Sequence, residues 1–131
     1  AQIPEIFECR GEDWFRDCEH DCLKRTETLN EAVIATGGGT MTFERNRALI
    51  ARLGISIWLD PPLETLFERL EDGGGSARPL FRDREQARAL YRRRRRAYKM
   101  ADLTIEPSSC DTADDVAARI AAILRERNCV I

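Results

Sequence analysis

Three short apolar runs constrain this chain most: Ala32-Val33-Ile34-Ala35-Thr36, Ile55-Ser56-Ile57-Trp58-Leu59 and Leu103-Thr104-Ile105. Strands buried on both faces read as brief, continuous, β-branched segments of this kind. Between them, apolar residues recur at helical spacing. Pro4 and Glu5 open a short helical turn that Gly11 breaks, and Phe15, Cys18, Cys22 and Leu29 mark a helix over 12–29. Residues 43–53 form another, stopped by Gly54, and Leu63, Leu66, Phe67 and Leu70 line the inner face of the next. A basic helix runs from about Asp83 to Met100. Asp111 or Thr112 caps a last helix, with Val116, Ile120, Ile123 and Leu124 inward. Strands alternating with helices predict the α/β class, a parallel sheet with flanking helices.

The 131 residues fit one domain. A net charge of −2 gives no general attraction to nucleic acid or to a membrane surface. No apolar run approaches the roughly 20 residues of a membrane-spanning helix. Ala1 to Glu5 carry no basic start or apolar core, so no secretory signal is expected. Five cysteines, an odd number without framework spacing, read as reduced thiols of a cytoplasmic protein.

Thr36-Gly37-Gly38-Gly39 directly after a strand is the sharpest local signal. Ligands of open α/β sheets bind beyond the carboxyl ends of the strands. Glycines there expose backbone N–H groups and permit close approach; they also suit a plain strand-to-helix turn. Gly73-Gly74-Gly75-Ser76 before Arg78 fits either a lid that closes over phosphates or a surface linker. Arg16 and Glu19, three apart, share a helix face and could form a carboxylate-binding fork with its orienting partner, or an ordinary surface pair.

Arg92 to Arg96 point all round their helix, so they cannot all serve one ligand. A solvated face with one functional member is the expectation, since little aromatic residue interleaves as a nucleic-acid surface requires. Cys18, His20 and Cys22 do not converge as zinc ligands, because i+2 points away from i and i+4 on a helix. His20, the only histidine, reads as a surface residue.

Together these residues resemble the shikimate kinases. The resemblance rests on Ile3-Pro4-Glu5-Ile6-Phe7, Gly11-Glu12, Phe15-Arg16, Glu19 and Val33 to Gly39. It continues through Trp58-Leu59-Asp60, Arg78-Pro79-Leu80, Arg94 four before Tyr98, and Ala101 to Ile105, in the family's order. It implies a three-layer P-loop kinase architecture and ATP-dependent phosphorylation of the 3-hydroxyl of shikimate in aromatic amino-acid biosynthesis. It also implies ATP and Mg²⁺ as cofactors, and a monomer when complete, with no nucleic-acid or membrane partner. By motif match Arg16 and Arg94 bind the shikimate carboxylate, Gly37, Gly38 and Gly39 meet the ring hydroxyls, and Phe7, Phe15 and Glu19 line or support the pocket. Arg78 reaches the nucleotide phosphates from a lid at about 73–84.

The sequence also departs from the family. A G-x-x-x-x-G-K-[ST] loop cradles phosphates in such kinases, but only Lys24 and Lys99 occur here and neither follows a glycine. The expectation is a truncated domain lacking the N-terminal strand–loop–helix–strand, holding the shikimate-binding and lid portions and inactive alone. A non-catalytic shikimate-binding relative, or another small-metabolite kinase of the same fold, are the alternatives.

Overall fold

A computed structural model describes residues 2–72 and 84–128. Its described helices are α1 (Ile3–Arg10), α2 (Glu12–Arg25), α3 (Glu44–Leu53), α4 (Leu63–Asp72), α5 (Arg84–Tyr98) and α6 (Ala113–Glu126). The strands are β1 (Ile57–Leu59) and β2 (Leu103–Ile105), and single 3₁₀ turns lie at Thr26–Thr28 and Thr40–Thr42. The expected lid, with Arg78, falls outside the described residues.

β1 and β2 pair in parallel, Ile57 opposite Leu103 and Leu59 opposite Ile105. Ser56 and Asp102 lock the start of the pair: the Asp102 carboxylate accepts from the Ser56 N–H at 2.9 Å and from its hydroxyl at 3.2 Å. At the far end the Asp60 N–H donates to the Ile105 carbonyl at 2.7 Å. Alternation of strand and helix thus yields the α/β class, with a smaller sheet than the sequence suggests.

The third expected strand, 32–36, does not form. Strand structure needs a neighbour to complete its backbone ladder, and this run has none among the described residues. Val33 is 101% exposed and Ile34 43%. The second strand shortens to three residues, and the helix expected over 12–29 ends at Arg25 and tightens into the 3₁₀ turn.

Gly11 joins α1 to α2 at φ 80°, ψ 167°, a conformation essentially reserved for glycine. This joint brings Phe7 against Phe15, ring centroids 5.0 Å apart. Thr112 is the α6 cap: its hydroxyl accepts from the Asp115 N–H while the Asp115 carboxylate accepts from the Thr112 N–H. The buried apolar residues are Leu23, Leu49, Phe67, Ala87, Ala97, Leu103 and Ile105. Arg16, Thr40, Asn46, Thr65 and Arg94 are buried with them. So polar an interior must be organised by specific hydrogen bonds.

Candidate functional site

Helical register decides which arginines face inward. On α5 the buried residues Ala87, Arg94 and Ala97 form one stripe, leaving Arg92, Arg93, Arg95 and Arg96 exposed. On α2 the same logic buries Arg16, at 7% exposure, with Leu23.

Both guanidinium groups press on the glycine run. A Cβ placed on Gly39 would lie 2.5 Å from Arg16 Nη1 and 2.7 Å from its Nη2. A Cβ on Gly38 would lie 2.6 Å from Arg94 Nη1. Only glycine admits the two cations this closely. Gly37 stands against Glu19, whose Oε1 would be 3.1 Å from a Cβ there. The 3₁₀ turn that follows holds the run in shape, the Thr42 hydroxyl donating to the Gly39 carbonyl at 2.6 Å.

Arg16 Nη1 donates to Glu19 Oε2 at 3.0 Å, and Nη2 reaches Glu12 Oε1 at 3.5 Å. Its Cζ stacks between Phe15 and Phe43, 5.3 and 5.4 Å from the ring centroids. Glu19 Oε1 accepts from the Thr40 hydroxyl at 2.7 Å. Arg16 Nε is buried without a partner, alone in that among the described side chains. Arg94 pairs with no carboxylate among the described residues. A buried guanidinium without an anion is costly, and an anion placed here would relieve that cost.

A cavity of about 850 Å³ opens in front of these groups. All eight expected substrate-binding residues, Phe7, Phe15, Arg16, Glu19, Gly37, Gly38, Gly39 and Arg94, line it. Trp58 and Tyr98 line it too, their rings 5.8 Å apart. Tyr98 follows Arg94 by one helical turn, a spacing that placed it on the site face. Its hydroxyl donates to the Gly38 carbonyl. Burial raises the Tyr98 pKa above the ordinary tyrosine value, partly offset by the Arg94 charge.

Sequence reasoning misplaced His20. It is half-buried, not a surface residue, and its Nδ1 meets Asn46 Oδ1 at 2.5 Å. Asn46 and Thr40 were missed because a buried polar side chain has no periodic signature. Tyr91 was missed as well; it donates to Asp60 Oδ1 at 3.0 Å and ties α5 to the end of β1. Burial first, then that bond, raises its pKa. A second cavity, about 460 Å³, lies beyond both strand ends between Asp60-Pro61-Pro62 and Glu106-Pro107-Ser108. Among the described residues no three metal-ligating side chains converge.

Comparison with known proteins matches the shikimate kinase family model to residues 1–125. The shikimate kinase of Persephonella marina is 37% identical over 105 residues, which cover 79% of this chain and 63% of that protein. That of Ruegeria pomeroyi is 36% identical over 98% of this chain and 67% of its own length. The chain thus spans about two thirds of these relatives. Among solved structures, a shikimate kinase from Acinetobacter baumannii in complex with shikimate superposes with a TM-score of 0.83. It is 32% identical, and the match covers 98% of this chain and 72% of that one.

Proposed function

The chain belongs to the shikimate kinase family, whose fold is that of the P-loop kinases, and from that premise we propose that its 131 residues form the shikimate-holding part of a kinase that phosphorylates the 3-hydroxyl of shikimate. The observation that carries the reading is the pair of buried guanidinium groups, Arg16 and Arg94, set against Gly39 and Gly38. An arginine fork recognises a carboxylate in two parallel hydrogen bonds. Arg16 and Arg94 take the shikimate carboxylate; the Gly37–Gly39 backbone meets the ring hydroxyls. Glu19 orients Arg16 instead of touching ligand, and Phe7 and Phe15 wall the pocket and exclude water.

The family uses ATP and Mg²⁺. ATP supplies the phosphoryl group, and the metal neutralises its charge in transfer. The described residues do not fit either group: no carboxylate cluster is present, and no lysine in the sequence follows a glycine. No step of transfer is assigned to them, and the 131 residues alone bind shikimate without phosphorylating it. Arg78 is assigned to the nucleotide phosphates on motif grounds. Among the described residues Cys9, Cys18, Cys22 and Cys110 are free thiols. No described helix is long and apolar enough to cross a membrane.

Calorimetric titration with shikimate tests the reading. Arg16→Ala and Arg94→Ala should each weaken binding about 10- to 100-fold, the worth of a hydrogen bond to a charged group. Wild-type affinity in both variants would overturn the assignment. The other reading is a shikimate-binding protein without transferase activity. An in-frame phosphate loop encoded upstream of Ala1 would argue against it, and a promoter and start codon directly before Ala1 would support it.

A further inference from the structure

Arg16 belongs to a longer chain of hydrogen bonds than its ion pair with Glu19. Glu19 Oε1 accepts from the Thr40 hydroxyl at 2.7 Å, while Glu19 Oε2 accepts from Arg16 at 3.0 Å. Thr40 is 2% exposed, and its carbonyl accepts from Asn46 Nδ2 at 2.9 Å. Asn46 is 1% exposed, the one large side chain fully enclosed among the described residues. Its amide nitrogen is engaged by Thr40, so the atom facing His20 is its carbonyl oxygen, an acceptor. His20 Nδ1 therefore carries the hydrogen. The path from His20 through Asn46, Thr40 and Glu19 to Arg16 is unbroken. It leaves α2 at His20, crosses to α3 and the glycine turn, and returns to α2 at Glu19, the residue before His20, which holds Arg16 one turn back.

We propose that His20 and Asn46 are positioning residues for the carboxylate-binding arginine. Asn46 fixes Thr40, and Thr40 fixes the second oxygen of Glu19. Glu19 can then offer Arg16 only one geometry, with the guanidinium against Gly39 and Nε left without a protein partner. The fork is oriented before ligand arrives, so less freedom is lost on binding. His20 completes the path: without its N–H, the buried Asn46 carbonyl oxygen has no donor and the amide is free to turn. This inference rests on the carboxylate reading of Arg16 given above.

The test uses the 131-residue chain and three variants: His20→Ala, His20→Gln, whose amide can replace the donor, and Asn46→Asp, which keeps shape but removes the hydrogen bond to Thr40. The first measurement needs no ligand. The Arg16 Nε–H resonance, assigned with Arg16→Lys, should shift or vanish by exchange in His20→Ala and Asn46→Asp and return in His20→Gln. The second compares affinity for shikimate with that for its alcohol analogue, in which the carboxylate is CH₂OH. His20→Ala should lower shikimate affinity about fivefold, the size of one net hydrogen bond, and leave the alcohol unchanged. His20→Gln should restore it to within about twofold.

An unmoved Arg16 resonance in both disruptive variants overturns the proposal. So does an equal loss for the acid and the alcohol, since that marks general destabilisation. If wild-type chain binds no shikimate, the carboxylate reading fails while the Arg16 resonance still decides whether the path positions the guanidinium.

Discussion

Gly39→Ala isolates the contact on which the site geometry depends. Gly39 has φ −92° and ψ −12°, which alanine adopts without strain. Its cost must therefore come from the added methyl group. That methyl would lie 2.5, 2.7 and 2.8 Å from three atoms of the Arg16 guanidinium. Comfortable separation is about 3.5 Å or more, so the group must retreat by roughly 1 Å. It has little room, held between Phe15 and Phe43 with 9% of its side chain exposed. A retreat of that size would stretch the 3.0 Å bond to Glu19 beyond hydrogen-bonding range. Overpacking of this kind costs about 1–3 kcal/mol. Loss of fork alignment should weaken shikimate binding about 10- to 100-fold. A double-mutant cycle in urea unfolding gives the decisive number. In an Arg16→Ala background the methyl meets empty space, and the Gly39→Ala penalty should fall below about 0.5 kcal/mol. A penalty that persists there would show that the clash lies elsewhere and refute the packing argument.

Gly11→Ala forces a methyl-bearing residue to φ 80°, ψ 167°; urea unfolding should show a loss of about 1–3 kcal/mol, with altered near-ultraviolet ellipticity as Phe7 and Phe15 separate. Burial raises the Tyr98 pKa, so its contribution to stability is complete below the unfolded tyrosine value, about 10, and is lost as pH rises through the folded value. Spectrophotometric titration should find both tyrosines, Tyr91 and Tyr98, ionising late, and Tyr98→Phe should make the alkaline limb of the stability profile shallower. Asp111 behaves in the opposite sense: the Ser108 N–H and then Arg119 hold its pKa below the usual value. Its contribution is present above pH about 4 and lost on further acidification, and Asp111→Asn should remove that acid-limb dependence. Val33 and Ile34 expose apolar surface beside an unpaired backbone, so sedimentation should detect self-association that Val33→Lys reduces without changing shikimate affinity.

Legibility in the sequence followed the range of the interactions. Helices α2 and α5 were readable because their inner faces repeat every three to four residues, a local property. Arg94 could be drawn from the run Arg92 to Arg96 only by resemblance, yet the stripe Ala87, Arg94, Ala97 gives it a physical warrant. The run Ala32 to Thr36 has the composition of a strand, but composition supplies no partner, and the described residues leave it unpaired. Thr40, Asn46 and His20 were opaque for a related reason. Their burial is stabilised by hydrogen bonds across 21 and 26 positions of sequence, from Thr40 to Glu19 and from His20 to Asn46. Nothing within a helical window records such pairings.

The charge balance inside the cavity argues for the kind of ligand it takes. Arg16 is countered chiefly by Glu19, whose side chain is 15% exposed. Glu12 adds little, because at 54% exposure water screens it. Arg94 has the Tyr98 hydroxyl beside it, which is neutral at physiological pH, and no described carboxylate. The cavity lining sets Arg16, Arg69 and Arg94 against Glu19 and Asp60, which leaves about one positive charge in excess. A neutral polyol would leave that charge uncompensated, at the desolvation cost that makes buried ions unfavourable. A dianion would reverse the imbalance. A monocarboxylate bearing hydroxyls cancels the excess on the arginine side and offers its polar ring to the glycine backbone. On the proposed carboxylate reading, the buried arginines would select ligand charge first, and the shape of the glycine turn would select among acids afterwards.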